Sequence, residues 1–554
     1  MDLELKRIKV LLVWGTGLIT VFITPLFSYD ALNVPRMALL VVMASVISLL
    51  LASKLRLLSS LAYRPLTAVF SLFMIQLFLV WLIAPANKVQ QFFGAGGRQT
   101  GFLTYFALAV IWLAAILVSS TELAKRFVVV LVISGSLSIF YGVTQSLGAD
   151  PIGWKNPYSP VIGFFGNPNF LSSFMGMSAS ALTIFMLNGR IKRLWRALIA
   201  LYIALSFYVI YESKSQQGYL VFASGMILCI LVLFFKQRNL FKFRYYVLST
   251  SIIATTTVVM DILQKSPWNS FLYKPSVSYR GDYWRAGWQM SLDHPIFGVG
   301  LDSYRDWYFR SRDIVAASRP ESSNFTDSAH NVLLDISASG GFPLLIIYIV
   351  LLVVTLVSAF KVLRRMQELD PFFVAILALW ICYLSQSLIS INQIALALWG
   401  WISSGLIIGY EVNTREKNLV RNLTNTKNPR MQKRTSISLR IAVGVTIGLG
   451  LGLPPFLADA NFRSSIDSGN ANNLIATTKR WPQDVTRINF ASYLFEKNNL
   501  PDYALEAAIS GTNFSPETFE SWKIIYELPN TPPRGKAEAL VMMKKLNPLA
   551  LDFK

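Results

Sequence analysis

Long apolar stretches alternate with short basic ones along this chain. Val10 to Phe27, Met37 to Ala52 and Leu66 to Ala84 run almost without charge, and about 20 apolar residues cross a bilayer as a helix. The pattern recurs thirteen times, at roughly 9–27, 36–52, 65–84, 102–119, 127–147, 167–187, 195–211, 218–235, 245–262, 342–360, 371–389, 393–410 and 441–458. It predicts an all-α, polytopic membrane bundle of about 12–13 transmembrane helices. Only Ser390, Ile391 and Asn392 divide the eleventh run from the twelfth. Two regions break the pattern: a polar excursion from Ser278 to Gly341, and a polar tail over 459–554.

Composition agrees with a membrane chain. Of 554 residues, 15% are charged, against about 25% in soluble domains. The first run follows Lys6, Arg7 and Lys9 as a signal peptide would, but no small-residue cleavage site precedes Pro25, so a retained span is expected. Both cysteines, Cys229 and Cys382, fall inside spans, which implies no disulfide framework. The net charge of +21 would suit nucleic acid, but its placement does not. With the N-terminus inside, the inner segments 1–9, 53–64, 120–126, 188–196, 236–244, 359–370 and 411–440 hold 27 Lys and Arg against 7 Asp and Glu. Nearly all the excess charge is thus positive-inside asymmetry. It predicts a multi-pass membrane protein with a cytoplasmic N-terminus, the loop 263–330 outside and the C-terminus outside. The expected divisions are a membrane domain over 1–410, a basic cytoplasmic linker near anionic lipid over 411–440, a last span at 441–458 and an extracytoplasmic tail over 459–554.

The outer segments carry the candidate chemistry. Phe93-Gly94-Ala95-Gly96-Gly97-Arg98-Gln99-Thr100-Gly101 is either a tight turn with a snorkelling arginine or a set of amides cradling an anion. Gly166-Asn167-Pro168-Asn169-Phe170 predicts a capped helix start entering the membrane from outside, and such an end attracts anions. Glu212-Ser213-Lys214-Ser215-Gln216-Gln217-Gly218 is a pocket wall or a plain connector. A helix is expected from Ser278 to Met290, with Arg280, Trp284 and Trp288 on one face. Trp284, Trp288 and Trp307 suit either sugar stacking or an interfacial aromatic belt. The two histidines of the chain are His294, in a Pro- and Gly-rich turn, and His330. Thr326, Asp327 and Ser328 read as caps of a helix opening at His330 and ending at Gly340-Gly341, whose dipole would hold the imidazole neutral. Function is assigned to His330 and structure to His294.

The tail repeats a proline context at Arg480-Trp481-Pro482, Phe514-Ser515-Pro516 and Leu546-Asn547-Pro548, with small residues between. This resembles a degenerate pair of tetratricopeptide repeats, implying a protein partner or a helical cover over the outer face.

Taken in order, Gly166-Asn167-Pro168-Asn169-Phe170-Leu171, Arg280 with Trp284, His294-Pro295-Ile296-Phe297-Gly298-Val299-Gly300, and His330-Asn331-Val332-Leu333 before Gly340-Gly341 resemble the O-antigen ligase and Wzy-type polymerase family of bacterial membrane glycosyltransferases. The resemblance spans roughly 8–410 and implies a GT-C-like fold with a large outer loop over the active site. It implies transfer of a glycan from a polyprenyl-diphosphate carrier to an acceptor hydroxyl on a glycan, lipid or protein, with no metal and no cofactor. Arg280, then Arg98, would hold the diphosphate and His330 would be the general base, with the flanking carboxylates Asp327 and Asp335 as alternatives. Asn167, Asn169, Lys214, Gln217 and Trp284 would contact substrate. Many family members carry a Ser-Arg-Gly-type motif where this chain reads Ser213-Lys214-Ser215-Gln216-Gln217-Gly218; a lysine lacks the planar fork of arginine. Ligase, polymerase and protein O-oligosaccharyltransferase remain open at this point, and a secondary transporter is the rival from another class.

Overall fold

The computed structural model describes residues 3–154, 156, 159–187, 191–236, 242–262, 275–319, 325–416 and 434–550. Parts of the expected outer loop (263–274 and 320–324) and most of the basic linker (417–433) lie outside them. Every regular element among the described residues is helical. Among the described residues nine helices are long and apolar enough to cross a membrane, and Phe102–Val118 and Pro371–Ser387 are shorter apolar helices. Leu3–Val21 and Phe243–Ile262 are helices at two further apolar runs of the sequence. The break at 388–393 is real, since one helix stops at Ser387 and the next begins at Ile394.

Burial sorts these helices. Pro168–Leu187 and Ile394–Arg415 form the centre of the bundle, whereas Arg193–Glu212 is largely exposed and presents Leu194, Leu198 and Leu201 outward, as a lipid-facing helix does. In a membrane, helix pairing depends on close packing rather than on apolar burial. Gly444, Gly448 and Gly452 form such a contact. A Cβ on each would lie 2.6, 2.5 and 2.9 Å from the Cα atoms of Val46, Val42 and Ala38. The Arg434–Ser468 helix therefore lies antiparallel along Asn33–Ala52, backbone against backbone.

Contacts define two ends of the bundle. At one, buried Glu4 takes Lys54 at 2.7 Å and Arg440 at 2.5 Å, and Glu411 joins Arg365 and Arg415. At the other, the loops around 30, 95 and 300 meet the tail: Asp30 N–H donates to Asp459, Asn87 to the Phe514 carbonyl, and Thr518 to Asp306. The tail includes two helical hairpins, Val485–Lys497 with Pro501–Phe514 and Phe519–Glu527 with Pro533–Leu546.

Two glycine motifs join the outer segment to the bundle. Val299 N–H donates to Ala338 O, Gly300 N–H to Ser339 O and Phe342 N–H to Pro295 O. These bonds fit the turn 294–300 against a break in the Val332–Arg365 helix at Gly341, where φ is 74° and ψ 176°. A Cβ on Gly298 would lie 2.3 Å from the Ser339 carbonyl carbon, and one on Gly341 2.5 Å from that of Ile296. Each glycine makes room for the other strand of chain.

The glycine stripe yields a paired prediction. Gly448→Val forces apart two packed backbones and should cost about 1–3 kcal/mol or more, lowering the melting temperature of the detergent-solubilised protein. Gly450→Val, where an added Cβ meets nothing within 4 Å, should leave it unchanged. Equal melting temperatures for both variants would refute the backbone contact.

Candidate functional site

His330 sits in a turn built by its neighbours. Its N–H donates to Ser328 Oγ at 2.8 Å, Ser328 Oγ donates to Asp335 Oδ2 at 2.9 Å, and Ala329 N–H donates to Asp335 Oδ1 at 2.7 Å. These bonds hold His330 at φ 53°, a left-handed conformation uncommon for a residue with a side chain. The expected cap at Thr326–Ser328 is corrected. The helix begins at Val332, and Asn331 caps it by accepting from Leu333 and Leu334 N–H. Ser328 is used for the turn instead, so His330 precedes the helix rather than opening it. Burial, not the dipole, is the first cause that lowers the imidazole pKa, to about 3; the nearby guanidinium of Arg280 is the second.

The Pro275–Asp293 helix brings Arg280 to this place. Tyr283, from the same turn, stacks on the His330 ring at 5.7 Å between centroids. The outer-segment arginines differ sharply in company. Arg285 holds Asp282 and Asp313, Arg319 holds Asp282, Arg310 holds Glu517, Arg305 faces Glu520 and Arg312 donates to Asn547. Arg280 has no ion pair or hydrogen bond to another described residue. Burial lowers its pKa, and a half-buried guanidinium without a carboxylate is a costly arrangement that an incoming anion relieves.

Arg98 is placed otherwise. Its Nε and Nη2 both lie 2.6 Å from the Asp327 carboxylate, which stabilises Asp327 in its ionised form against burial. The glycine-rich loop does cradle an anion, but an internal one. Ala95 and Thr100 N–H each donate to Asp302 Oδ2 at 2.8 Å. Burial still pushes the Asp302 carboxyl up to about 6. Arg98, Asp302, Asp327, Asp335, Asn392 and Gln393 line one small cleft of about 50 Å³.

The remaining expected residues divide. Asn167 is a helix cap, accepting from Asn169 N–H at 2.8 Å. Asn169 Oδ1 accepts from Ser215 Oγ at 2.7 Å, joining two helix starts. Lys214 is exposed, with its ammonium 4.8 Å from the Tyr211 ring centre, whereas Gln217 is buried with neither amide atom hydrogen-bonded among the described residues. Trp284 lines a different cleft, together with Trp288. Trp307 is occupied by Arg310, 3.8 Å from its ring centre, and by the edge of His294. Among the described residues no group of three or more His, Cys, Asp or Glu is placed to hold a metal ion.

Sequence reasoning passed over Asp302 and Arg36. Nothing in the sequence pairs Asp302 with a loop two hundred residues earlier. Arg36 was visible as a charge at the edge of an otherwise apolar span. It is fully buried, and its Nη2 donates to the carbonyls of Thr20 and Phe164. That fastens the turn 163–165 ahead of the Pro168–Leu187 helix.

Residues 201–349 match the Wzy_C family model, described as O-antigen ligase. The matched segment contains Gln217, Arg280, the turn 294–300, His330 and the Gly340-Gly341 break; Arg98 and Asn167 lie before it. No curated protein matches the chain. The middle portion of this multi-pass membrane protein is thus similar to the O-antigen ligase family, a likeness that supports glycan transfer at the membrane as its general activity.

Proposed function

We propose that this protein transfers a glycan from a polyprenyl-diphosphate carrier to an acceptor hydroxyl, on the outer face of the bacterial inner membrane and without a metal. The observation that supports this most is that Arg280, without an ion pair or hydrogen bond among the described residues, lies on the helix whose Tyr283 stacks on the His330 ring. The positive-inside count supports a cytoplasmic N-terminus with this end of the bundle outside. Nucleotide sugars are absent there, so the activated sugar arrives on a lipid whose diphosphate rests at the membrane surface.

In this reading the acceptor oxygen attacks the anomeric carbon as the bond from that carbon to the phosphate oxygen breaks, inverting the centre. The acceptor proton passes to His330, and the departing polyprenyl diphosphate keeps the electron pair, stabilised by Arg280. An imidazole of pKa about 3 is a weak base. A diphosphate seated on Arg280 cancels part of the field that lowers it, so His330 gains proton affinity once the donor is bound. Asp327 lies on the other side of the balance: its charge favours the imidazolium, and Arg98 fixes its orientation. The acceptor, whether glycan, lipid or protein, is left to assay.

Arg280→Ala and His330→Ala should each lower transfer from lipid-linked donor by about 10²–10⁴-fold in protein that elutes as the parent does. Parent-level activity in both variants would sink this reading. A second test uses the small number of histidines. The lowered pKa means that His330 stays neutral until the pH falls to about 3, so its NMR resonance should not titrate between about pH 5 and 8. Removing a positive neighbour favours the protonated ring, so Arg280→Ala should move the His330 pKa upward. An unshifted titration would show that Arg280 does not act on it.

A further inference from the structure

A second cleft opens beside the reaction centre and has no part in the chemistry above. It encloses about 730 Å³, within the ~300–1,000 Å³ usual for small-molecule sites. One wall is the Pro275–Asp293 helix, which contributes Trp284, Trp288 and Gln289. The opposite wall is the last turn of the Tyr304–Ser311 helix and the chain just past it, with Arg310 and Arg312, and Leu334 also lines the cleft. Two of these residues adjoin the catalytic pair. Trp284 lies one helical turn beyond Arg280 on the same face, and Leu334 lies four residues beyond His330. The cleft therefore leads away from the point where the diphosphate would sit.

We propose that this cleft binds the sugar chain of the lipid-linked donor, which rests on the donor assignment made above. Pyranose rings present apolar C–H faces and a rim of hydroxyls. Tryptophan offers a flat apolar surface, and guanidinium, carboxylate and amide groups supply paired donors and acceptors. Trp288 is 49% exposed and packs edge-on against Phe342, at the start of the membrane part of its helix. Sugars next to the lipid anchor pass at that level. The arginine wall is held from behind: Arg310 binds Glu517 at 2.5 Å and Arg312 donates to Asn547 at 3.0 Å. Both partners belong to the tail, whose function in this chain is then to fix the far side of a glycan groove. Bound in this way, the guanidinium groups keep their orientation before substrate arrives, which lowers the ordering cost of binding.

Calorimetry on the detergent-solubilised full chain tests this, with the oligosaccharide released by mild acid from the cell's own lipid-linked glycan as the probe. Trp288→Ala should weaken binding about tenfold, the loss of one stacked ring, and should raise KM for the lipid-linked donor by a similar factor. Gln289→Ala, a milder surface change, should weaken binding in the same direction. Absence of binding by the parent, or unchanged affinity in both variants, would overturn the proposal. So would quenching by brominated acyl chains in nanodiscs that Trp288→Phe abolishes, since Trp288 would then face lipid. Loss of transfer in Arg280→Ala with unchanged affinity in Trp288→Ala would reject the groove alone. Glycan binding without any effect of Arg280→Ala on transfer would reject the catalytic assignment and leave the groove standing.

Discussion

The architecture of the bundle end that carries His330 depends on one backbone clasp. The turn 294–300 donates and accepts main-chain hydrogen bonds against the helical break around Gly341, and neither piece of chain could approach the other with side chains at Gly298 and Gly341. This contact fixes the end of the Pro275–Asp293 helix against the Val332–Arg365 helix. Arg280 lies on the first and His330 just ahead of the second, so their meeting is a consequence of the clasp. A break in a membrane helix leaves carbonyls without intrahelical partners, a serious cost in an apolar medium. Here the amides of Val299 and Gly300 satisfy the Ala338 and Ser339 carbonyls. The motif His294-Pro295-Ile296-Phe297-Gly298-Val299-Gly300 thus has a packing explanation, and His294 belongs to it by closing on Trp307.

Charge on this face is nearly all spent internally. Asp282 ties Arg285 and Arg319, Asp302 fills the amides of the glycine loop, and Asp327 takes Arg98. Such pairing leaves Arg280 as the arginine of the outer segment without a carboxylate or hydrogen-bond partner among the described residues. In the proposed reading, anion recognition then falls to a single guanidinium, because Arg98 is paired with Asp327. Lys214 does not relieve this, because it is exposed above Tyr211, while the buried member of that connector is Gln217.

The membrane helices were legible because their signal is local: twenty apolar residues say the same thing in any context. The cap at Asn167 and the break at Gly340-Gly341 were legible for a similar reason, each being a short-range rule about backbone geometry. The start of the helix after His330 was not, because Thr326, Asp327, Ser328 and Asn331 are all competent caps. The choice among them was made by Asp335, which draws Ser328 into the turn. Contacts across long sequence separations were invisible. Asp302 in the glycine loop, Asp327 on Arg98, and Glu517 and Asn547 behind the outer arginines each need the fold before they can be seen. The stripe Gly444, Gly448 and Gly452 was present in the sequence at a helical spacing, and only the facing backbone of Asn33–Ala52 gives it meaning.

The antiparallel seating of the Arg434–Ser468 helix along Asn33–Ala52 has a consequence for biogenesis. A ribosome delivers the outer segment first and this helix, with the hairpins that follow it, only afterwards. Until that late helix slides into its glycine groove, Arg310 and Arg312 have neither Glu517 nor Asn547 to lean on. The chain therefore carries its own order of assembly: the arginine wall opposite the Pro275–Asp293 helix is set last, after the helices that precede Arg434–Ser468.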